Sequence, residues 1–230
     1  MNAARTGPCR NSPVLIAISV GRVERLGIHG AADRFDEAWT SGIFKAPIEG
    51  PARVIADHLD GDEQADLNNH GGPDKAICAY AANHYDGWRS TFGQSGLAYG
   101  AFGENFTIEG LIERDVCIGD IWSVGEVHVQ VSQPRQPCWK LARKWRIDDL
   151  VDQVITRGQT GWYFRVLREG TVTRGDALTL IARSHPQWTI DAANAVMHHR
   201  RGGAGAAEVL AGLDTLSTSW KRSLLKRASG

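Results

Sequence analysis

At 230 residues the chain is long enough for one full domain and a small appendage, and 42% of its residues are hydrophobic. Its 26 basic and 26 acidic residues balance at pH 7, which argues against a nucleic-acid coat or a membrane-surface protein. The four cysteines are widely separated and show no Cys-x-x-Cys spacing, so a zinc ribbon, a redox dithiol and a disulfide framework are all disfavoured.

The first dozen residues, 1–12, are predicted to form a flexible tail ahead of an apolar run at Val14–Val20. Arg5 and Arg10 raise the alternative of a signal peptide, but the apolar run is short and no small-x-small cleavage site follows it. No stretch approaches the roughly 18–20 apolar residues that a membrane-spanning helix needs. We therefore expect a cytoplasmic protein with no membrane partner.

Residues 13–185 are dominated by short strand patterns that are separated by glycine- and proline-rich turns. Residues 14–26 predict two strands joined by a turn at Gly21, and residues 27–40 predict a loop or an insertion. Further strands are predicted within residues 53–59, 76–80, 100–109, 116–122, 126–131, 161–167, 170–174 and 177–183. Two helices are predicted between them, at residues 83–92 with Asn83 as the N-cap and at residues 141–156. So many short strands favour a mainly β domain built as a closed or nearly closed antiparallel barrel.

From residue 186 onward the pattern changes to amphipathic helices, and we expect residues 186–230 to form a small three-helix domain. Thr189 is predicted to cap the first helix, residues 206–213 form the second, and the third begins at Ser217. The third helix carries four basic residues: Lys221, Arg222, Lys226 and Arg227. The favoured interpretation is a solvated basic face, and the alternative is a surface that binds a nucleic acid or a partner protein.

One cysteine stands out by its surroundings, because a predicted strand ends at two prolines and Cys138 follows at once. Pro134 and Pro137 have no backbone N–H to donate to a sheet. The nearby cations are Arg135, Lys140, Arg143 and Lys144. A thiol among cations and near a helix start favours its thiolate form, which is both a nucleophile and a metal ligand. A buried, inert cysteine is the alternative.

A second chemically suggestive stretch is the loop at residues 60–74, where His70 is followed by two glycines and then by Lys75. Glycines let backbone amides approach a ligand closely, although His70 is more often a loop-stabilising hydrogen bonder than an acid. Glu104 and Asn105 follow a glycine turn, and they either cap a buried turn or contact a ligand.

Six motifs occur in order along the chain. They are Ser41-Gly-Ile-Phe-Lys-x-Pro, Gly61-Asp-Glu-Gln-Ala-Asp, His70-Gly-Gly-Pro-Asp-Lys-Ala, Phe102-Gly-Glu-Asn, Gly119-Asp and Ser132-Gln-Pro-Arg-x-Pro-Cys138. Together they resemble the MOSC domain (the molybdenum cofactor sulfurase C-terminal domain), and in particular its YiiM-like branch with a C-terminal three-helix domain. The resemblance covers residues 14–226 and implies a pyruvate-kinase-like β-barrel. Residues 33–39 look longer than this branch requires.

This resemblance implies that a molybdopterin-type molybdenum cofactor binds in the barrel pocket. Cys138 would be the catalytic residue and the protein's ligand to molybdenum. The implied cofactor-binding residues are His70, Gly71, Gly72, Lys75, Asn105, Ser132 and Arg135. Related proteins are associated with the reduction of N-hydroxylated small molecules, including hydroxylaminopurine bases. Because the sequence has no dinucleotide fingerprint and no iron–sulfur spacing, a separate flavin-type reductase is implied as the electron donor.

Two other functions stay open at this level. Cys138 could carry a persulfide and hand sulfur to a cofactor or to another protein, which would make the chain a sulfur carrier. Alternatively, the chain could be a non-enzymatic binding module whose basic C-terminal helices engage a partner.

Overall fold

The structure, a computed structural model, describes residues 12–229, without the side chains of residues 68 and 69. Of the tail predicted at residues 1–12, residues 1–11 lie outside the described part, and so does Cys9.

The strands are β1 Val14–Val20, β2 Glu24–Leu26, β3 Trp39–Ser41, β4 Ala46–Pro47, β5 Ala52–Val54, β6 Ile77–Ala81, β7 Phe106–Glu109, β8 Ile121–Val124, β9 Val127–Pro134, β10 Trp162–Arg168, β11 Gly170–Val172 and β12 Leu178–Ala182. The helices are α1 Leu67–His70, α2 Tyr85–Phe92, α3 Trp139–Trp145, α4 Leu150–Thr156, α5 Ile190–His199, α6 Gly203–Ala211 and α7 Thr218–Ala228. Within residues 12–229, none of these helices has the length and apolar character to cross a bilayer.

Eight strands form one curved sheet in the order β12-β8-β9-β10-β6-β7-β1-β4, which confirms a mainly β fold. A bridge between Val14 and Ala177, with the N–H of Leu178 donating to the carbonyl of Pro13, links β1 to the start of β12. The sheet therefore curls into an open barrel whose edges meet through a few backbone hydrogen bonds. The prediction of an antiparallel barrel needs one correction, because β6 and β7 pair in parallel.

The predicted turn at Gly21 does not return β2 along β1. Strand β2 pairs with β3 instead, and β1 pairs with β4 and β7. The N–H of Gly21 donates to Asp62 Oδ1 at 2.9 Å, and the N–H of Glu63 donates to the Gly21 carbonyl at 2.8 Å. Since the 60–74 loop makes these bonds, the turn is held by distant residues rather than by a local hairpin.

The helix predicted at residues 141–156 is two helices, because α3 ends at Trp145 and α4 begins only at Leu150. Arg146 adopts a left-handed conformation with φ of 54°, which is uncommon outside glycine. Its guanidinium pairs with Asp33 at 2.6 Å and with Asp36 at 2.5 Å. The left-handed backbone at Arg146 ends α3, and the two ion pairs tie the 27–40 segment to the end of this helix.

The starts of two C-terminal helices could be predicted from local sequence alone. The predicted cap Thr189 accepts a hydrogen bond from the backbone N–H three residues later, at 3.0 Å. Ser217, predicted as the start of the third helix, caps it in the same way, at 3.2 Å. The predicted cap Asn83 is wrong, because residues 82–84 form a 3-10 turn and His84 precedes α2.

The three C-terminal helices share a hydrophobic core with the sheet. Met197, Leu210 and Trp220 are fully buried in the same cluster as the apolar side chains of β9. At the start of α7, the N–H of Ser217 donates to the Ser132 carbonyl at 2.9 Å, and its hydroxyl donates to Gln133 Oε1 at 2.7 Å. The beginning of α7 is therefore fixed beside the end of β9.

Candidate active site

Cys138 lies at the junction of β9 and α3, in an extended conformation as the N-cap residue of α3. The chain leaves the sheet after Pro134, four residues before the thiol. The partly exposed Cys138 side chain lines a cavity of about 570 Å³, a volume that includes the solvent space at its mouth. The thiol therefore lies just beyond the end of a strand, as the sequence predicts.

The cavity is rich in positively charged groups. Besides Cys138 and His70, it is lined by four cationic side chains, Lys45, Lys75, Arg135 and Lys140, and by one carboxylate, Glu63. Lys45 Nζ lies 2.6 Å from Asp62 Oδ2, and both side chains are buried. This excess of cations favours an anionic ligand with several oxygen acceptors.

Arg135 is the most deeply buried of these cations, at 6% exposure. Its Nη2 donates to the Phe102 carbonyl at 2.6 Å, whereas its buried Nη1 has no hydrogen-bond partner among residues 12–229. Burial opposes the charge, but interaction with Cys78, Tyr163 and Cys138 raises the pKa of Arg135, so it stays protonated. A buried guanidinium nitrogen without a protein partner is expected to bind an acceptor in the cavity.

His70 stands at the end of α1 and is neutral at physiological pH. Burial, followed by repulsion from Arg135 and Lys140, lowers its pKa from 6.5 to about 4. Burial also lowers the pKa of Lys75 below that of a surface lysine. The cavity therefore combines a neutral imidazole with a lysine that gives up its proton more readily than usual.

The His70 shift predicts a pH dependence of stability in the cofactor-free protein. Because the folded-state pKa of about 4 lies below the unfolded value of 6.5, protonation favours unfolding. The stabilisation is complete above pH 6.5 and is lost as the pH falls towards 4. We expect His70→Gln to reduce the loss of unfolding free energy between pH 7 and pH 5 by about 2 kcal/mol, measured by urea denaturation.

The control for this experiment is His198→Gln, because burial also lowers the pKa of His198 to about 4 but His198 lies in α5, outside the cavity. Adding inorganic phosphate should shrink the His70-dependent difference and leave the His198-dependent one unchanged, since an anion near His70 favours its protonated form. Equal pH slopes in His70→Gln and the unmodified protein would contradict the assignment.

Asn105 lines the cavity but is also bound to the sheet. Its Oδ1 accepts from the N–H of Cys78 at 3.0 Å, and its Nδ2 donates to the Ser19 carbonyl at 3.2 Å. Glu104 is fully buried and accepts hydrogen bonds from the turn before β7. Of the two alternatives left open by the sequence, Glu104 caps a buried turn, whereas Asn105 both fixes the sheet and faces the cavity.

Three predicted site residues, Gly71, Gly72 and Ser132, do not line the cavity. Ser132 is fully buried, with its hydroxyl 2.5 and 3.1 Å from two backbone carbonyl oxygens. Gly72 has φ of 86° and begins the 3-10 turn at Pro73–Lys75. Its part in the site is therefore to set the backbone that places Lys75, because other residues rarely adopt this conformation.

The cavity also contains residues that sequence reasoning missed. Lys45, Cys78 and Tyr163 all line it. Lys45 occurs in the first of the six motifs, so that motif could have identified it as a site residue. Cys78 and Tyr163 face each other across the β6–β10 pair, and such a pairing between distant segments is not visible in periodicity.

The cavity opens into an outer chamber of about 1590 Å³, including the space at its mouth. Trp39 and Trp139 line this chamber with ring centroids 5.7 Å apart, and Trp139 is 54% exposed. The guanidinium of Arg143 lies 4.9 Å from the Trp139 ring centroid. The segment at residues 27–40, predicted as a loop or insertion, thus supplies part of the chamber wall and places a large ring near Cys138.

Comparison with known families gives two matches. The MOSC domain matches residues 66–179, and the YiiM-like, 3-alpha helix domain matches residues 188–229. Among curated proteins, the uncharacterized protein YflK of Bacillus subtilis is 44% identical over 187 residues, covering 81% of this chain and 84% of its own. Protein YiiM of Escherichia coli is 36% identical over 200 residues, covering 86% and 89%.

A Gibberella moniliformis protein named reductase is 34% identical over 188 residues, covering 80% of this chain but only 32% of that longer protein. Solved structures of YiiM proteins are also similar to this chain. YiiM from Geobacillus stearothermophilus has a TM-score of 0.77 at 37% identity, covering 94% of this chain and 99% of that one. YiiM from Escherichia coli has a TM-score of 0.71 at 34% identity, covering 81% and 89%.

Proposed function

Because the chain belongs to the MOSC domain family and to its YiiM-like branch, we propose that it is a molybdenum-cofactor-dependent oxidoreductase that reduces N-hydroxylated compounds. MOSC domains are associated with molybdenum cofactor binding in general. The observation that carries the proposal is the cavity in which the Cys138 thiol and the unpartnered Nη1 of Arg135 lie together.

The residues present fit such a cofactor. A thiolate is a soft ligand, suited to a metal that is already bound by dithiolene sulfurs, and Cys138 is the partly exposed thiol of the cavity. A phosphate needs cationic donors, and Lys75, Lys140 and Arg135 supply them. In this proposal Cys138 holds the metal and the three cations hold the phosphate-bearing part.

When bound, the cofactor supplies the redox step, in which an R–NHOH compound takes up two electrons and two protons to give R–NH2 and water. The chain binds and orients the reactants and supplies polar groups. Neutral His70 can donate a hydrogen bond to the departing oxygen or accept one from the substrate. The electrons come from a separate flavin-type reductase, since the sequence has no dinucleotide fingerprint of its own.

A planar, aromatic substrate is supported by the exposed Trp139 in the outer chamber. Base-on-ring stacking is typically worth about 1–3 kcal/mol. We therefore expect Trp139→Leu to raise the KM for 6-N-hydroxylaminopurine by about tenfold while kcat changes less than about twofold. Steady-state kinetics of the cofactor-loaded protein measure this.

The matched control is Val209→Ala on α6, an exposed apolar position that lines none of the described cavities. Its KM should equal that of the unmodified protein. An unchanged KM in Trp139→Leu would argue against substrate stacking on this ring.

The test of the proposed function is turnover by purified protein. The chain, produced in a host that makes the cofactor, is supplied with chemically reduced viologen and 6-N-hydroxylaminopurine, and adenine is measured by chromatography. We expect adenine to form in proportion to the molybdenum content of the sample. A fully loaded protein that forms no adenine, and that reduces no other N-hydroxylated base, contradicts the proposal.

A further inference from the structure

Helix α7 contributes a wall to the outer chamber, so the C-terminal helices are part of the space that leads to Cys138. Ser219, Arg222 and Ser223 line the chamber together with Trp139. The bonds from Ser217 to the end of β9 fix this wall relative to the site. The wall is therefore fixed beside the end of β9, next to the entrance of the inner cavity.

Arg222 is an exposed residue of α7, and its guanidinium is unpaired like those of other exposed arginines within residues 12–229, such as Arg25 and Arg168. Arg165 and Arg183 are held by carboxylates at 2.7 and 2.6 Å. Arg222 forms no ion pair or hydrogen bond within residues 12–229, although it faces the chamber. Since the charge is not used within the described chain, it is available to an anion that enters the chamber.

The two serines beside Arg222 offer acceptors rather than donors. The Ser219 hydroxyl donates to Gln133 Oε1 at 3.0 Å, and the Ser223 hydroxyl donates to the Ser219 carbonyl at 3.0 Å. Because both hydrogens are engaged, the free lone pairs of these oxygens can accept from a ligand's own O–H groups. The chamber thus offers a ring surface at Trp139, acceptors for hydroxyl groups and, besides Lys75 and Lys140, which also line the inner cavity, a cation at Arg222.

These three features match the three parts of a nucleotide. We propose that the substrate is an N-hydroxylated purine nucleoside 5′-monophosphate, with its base on Trp139, its sugar hydroxyls near Ser219 and Ser223, and its phosphate on Arg222. The inference rests on the proposed function and names its substrate class. The cations of the inner cavity, Lys75, Lys140 and Arg135, serve the cofactor's phosphate, whereas Arg222 serves the substrate's.

The test compares 6-N-hydroxylaminopurine, its ribonucleoside and its ribonucleoside 5′-monophosphate as substrates of the loaded protein, with reduced viologen as donor. We expect kcat/KM for the monophosphate to exceed that for the free base by at least about tenfold, the lower range for one charged hydrogen bond. Arg222→Gln should remove this advantage and leave kcat/KM for the free base within about twofold. Equal values for base and monophosphate in the unmodified protein would overturn the inference.

Two controls test whether the effect is specific to Arg222 and whether Arg222 binds the substrate's phosphate rather than the cofactor's. Lys226→Gln removes an exposed cation from the same helix that does not line the chamber, and the preference for the monophosphate should survive it. Molybdenum and pterin content should be equal in Arg222→Gln and in the unmodified protein. A loss of cofactor in Arg222→Gln would assign this arginine to the cofactor's phosphate and overturn the inference.

Binding of the reaction product, without any turnover, tests the nucleotide site independently of the proposed redox reaction. Calorimetry with adenosine 5′-monophosphate and with adenine needs no turnover. We expect the monophosphate to bind at least about tenfold more tightly than adenine, and Arg222→Gln to abolish the difference. If no substrate is reduced but this difference is found, the proposed reaction fails while the nucleotide site stands. If bases are reduced but no difference is found, the nucleotide site fails alone.

Discussion

Cys138→Ala is expected to lower the proposed reductase activity by at least a hundredfold. Changes to groups that only support metal ligands typically cost about 10–100-fold, so loss of the ligand itself should cost more. Cys138 is partly exposed and is not part of either hydrophobic core, so the folded structure should tolerate alanine. Turnover of 6-N-hydroxylaminopurine, together with the thermal unfolding midpoint, measures both expectations.

Cys117→Ser is the matched control, because Cys117 lies outside the cavity and its thiol donates to the Pro186 carbonyl, at 3.6 Å. It should retain full activity per bound molybdenum. Cys138→Ser is the sharper variant, since it keeps the size and replaces a soft sulfur with a hard oxygen. Full activity in Cys138→Ser would remove the thiol from the proposed chemistry.

Glu104→Ala is expected to lower the free energy of unfolding by about 3–5 kcal/mol, the usual cost of breaking a buried, charged hydrogen-bond network. Glu104 is 0% exposed, and its carboxylate accepts from the N–H groups of Gly100 at 2.8 Å and Phe102 at 3.1 Å. It also accepts from the hydroxyls of Tyr85 and Thr107. Alanine would leave all these buried donors without an acceptor.

Urea denaturation of the cofactor-free protein measures this loss. Glu109→Ala on the exposed side of β7 is the control and should change stability by less than about 0.5 kcal/mol. Glu104→Gln keeps one oxygen and should lose less than Glu104→Ala. If Glu104→Ala unfolds like the unmodified protein but loses cofactor, the carboxylate is a ligand-binding group and its structural assignment is wrong.

Local sequence predicted those parts of the fold that local forces determine. Thr189 and Ser217 cap their helices through hydrogen bonds to residues three positions away, and strand β9 ends at prolines that cannot extend a sheet. The errors occur where distant residues decide. Gly21 is held by the 60–74 loop, and the pairing of β6 with β7 is parallel, although nothing in the period of either strand distinguishes the two directions.

The same distinction holds for the site. Cys138 and Lys75 could be proposed because each follows a turn that the sequence makes visible, and His70 because it directly precedes two glycines. The structure brings all three to one cavity. Tyr163 could not, because its place there depends on the register of β10 with β6. Arg222 was predicted only as part of a basic helix face, since its approach to the chamber depends on how α7 packs on the end of β9.

The molybdenum and pterin content of the purified protein tests the central claim most directly. Metal analysis and mass spectrometry are applied to protein from a host that makes the cofactor, for the unmodified chain and for Cys138→Ala. We predict stoichiometric molybdenum and pterin in the unmodified protein, and loss of the metal's bond to the protein in Cys138→Ala. A metal-free protein from a host that loads other molybdenum enzymes would contradict the account. An added mass of about 32 Da on Cys138 would then identify a persulfide-bearing sulfur carrier instead.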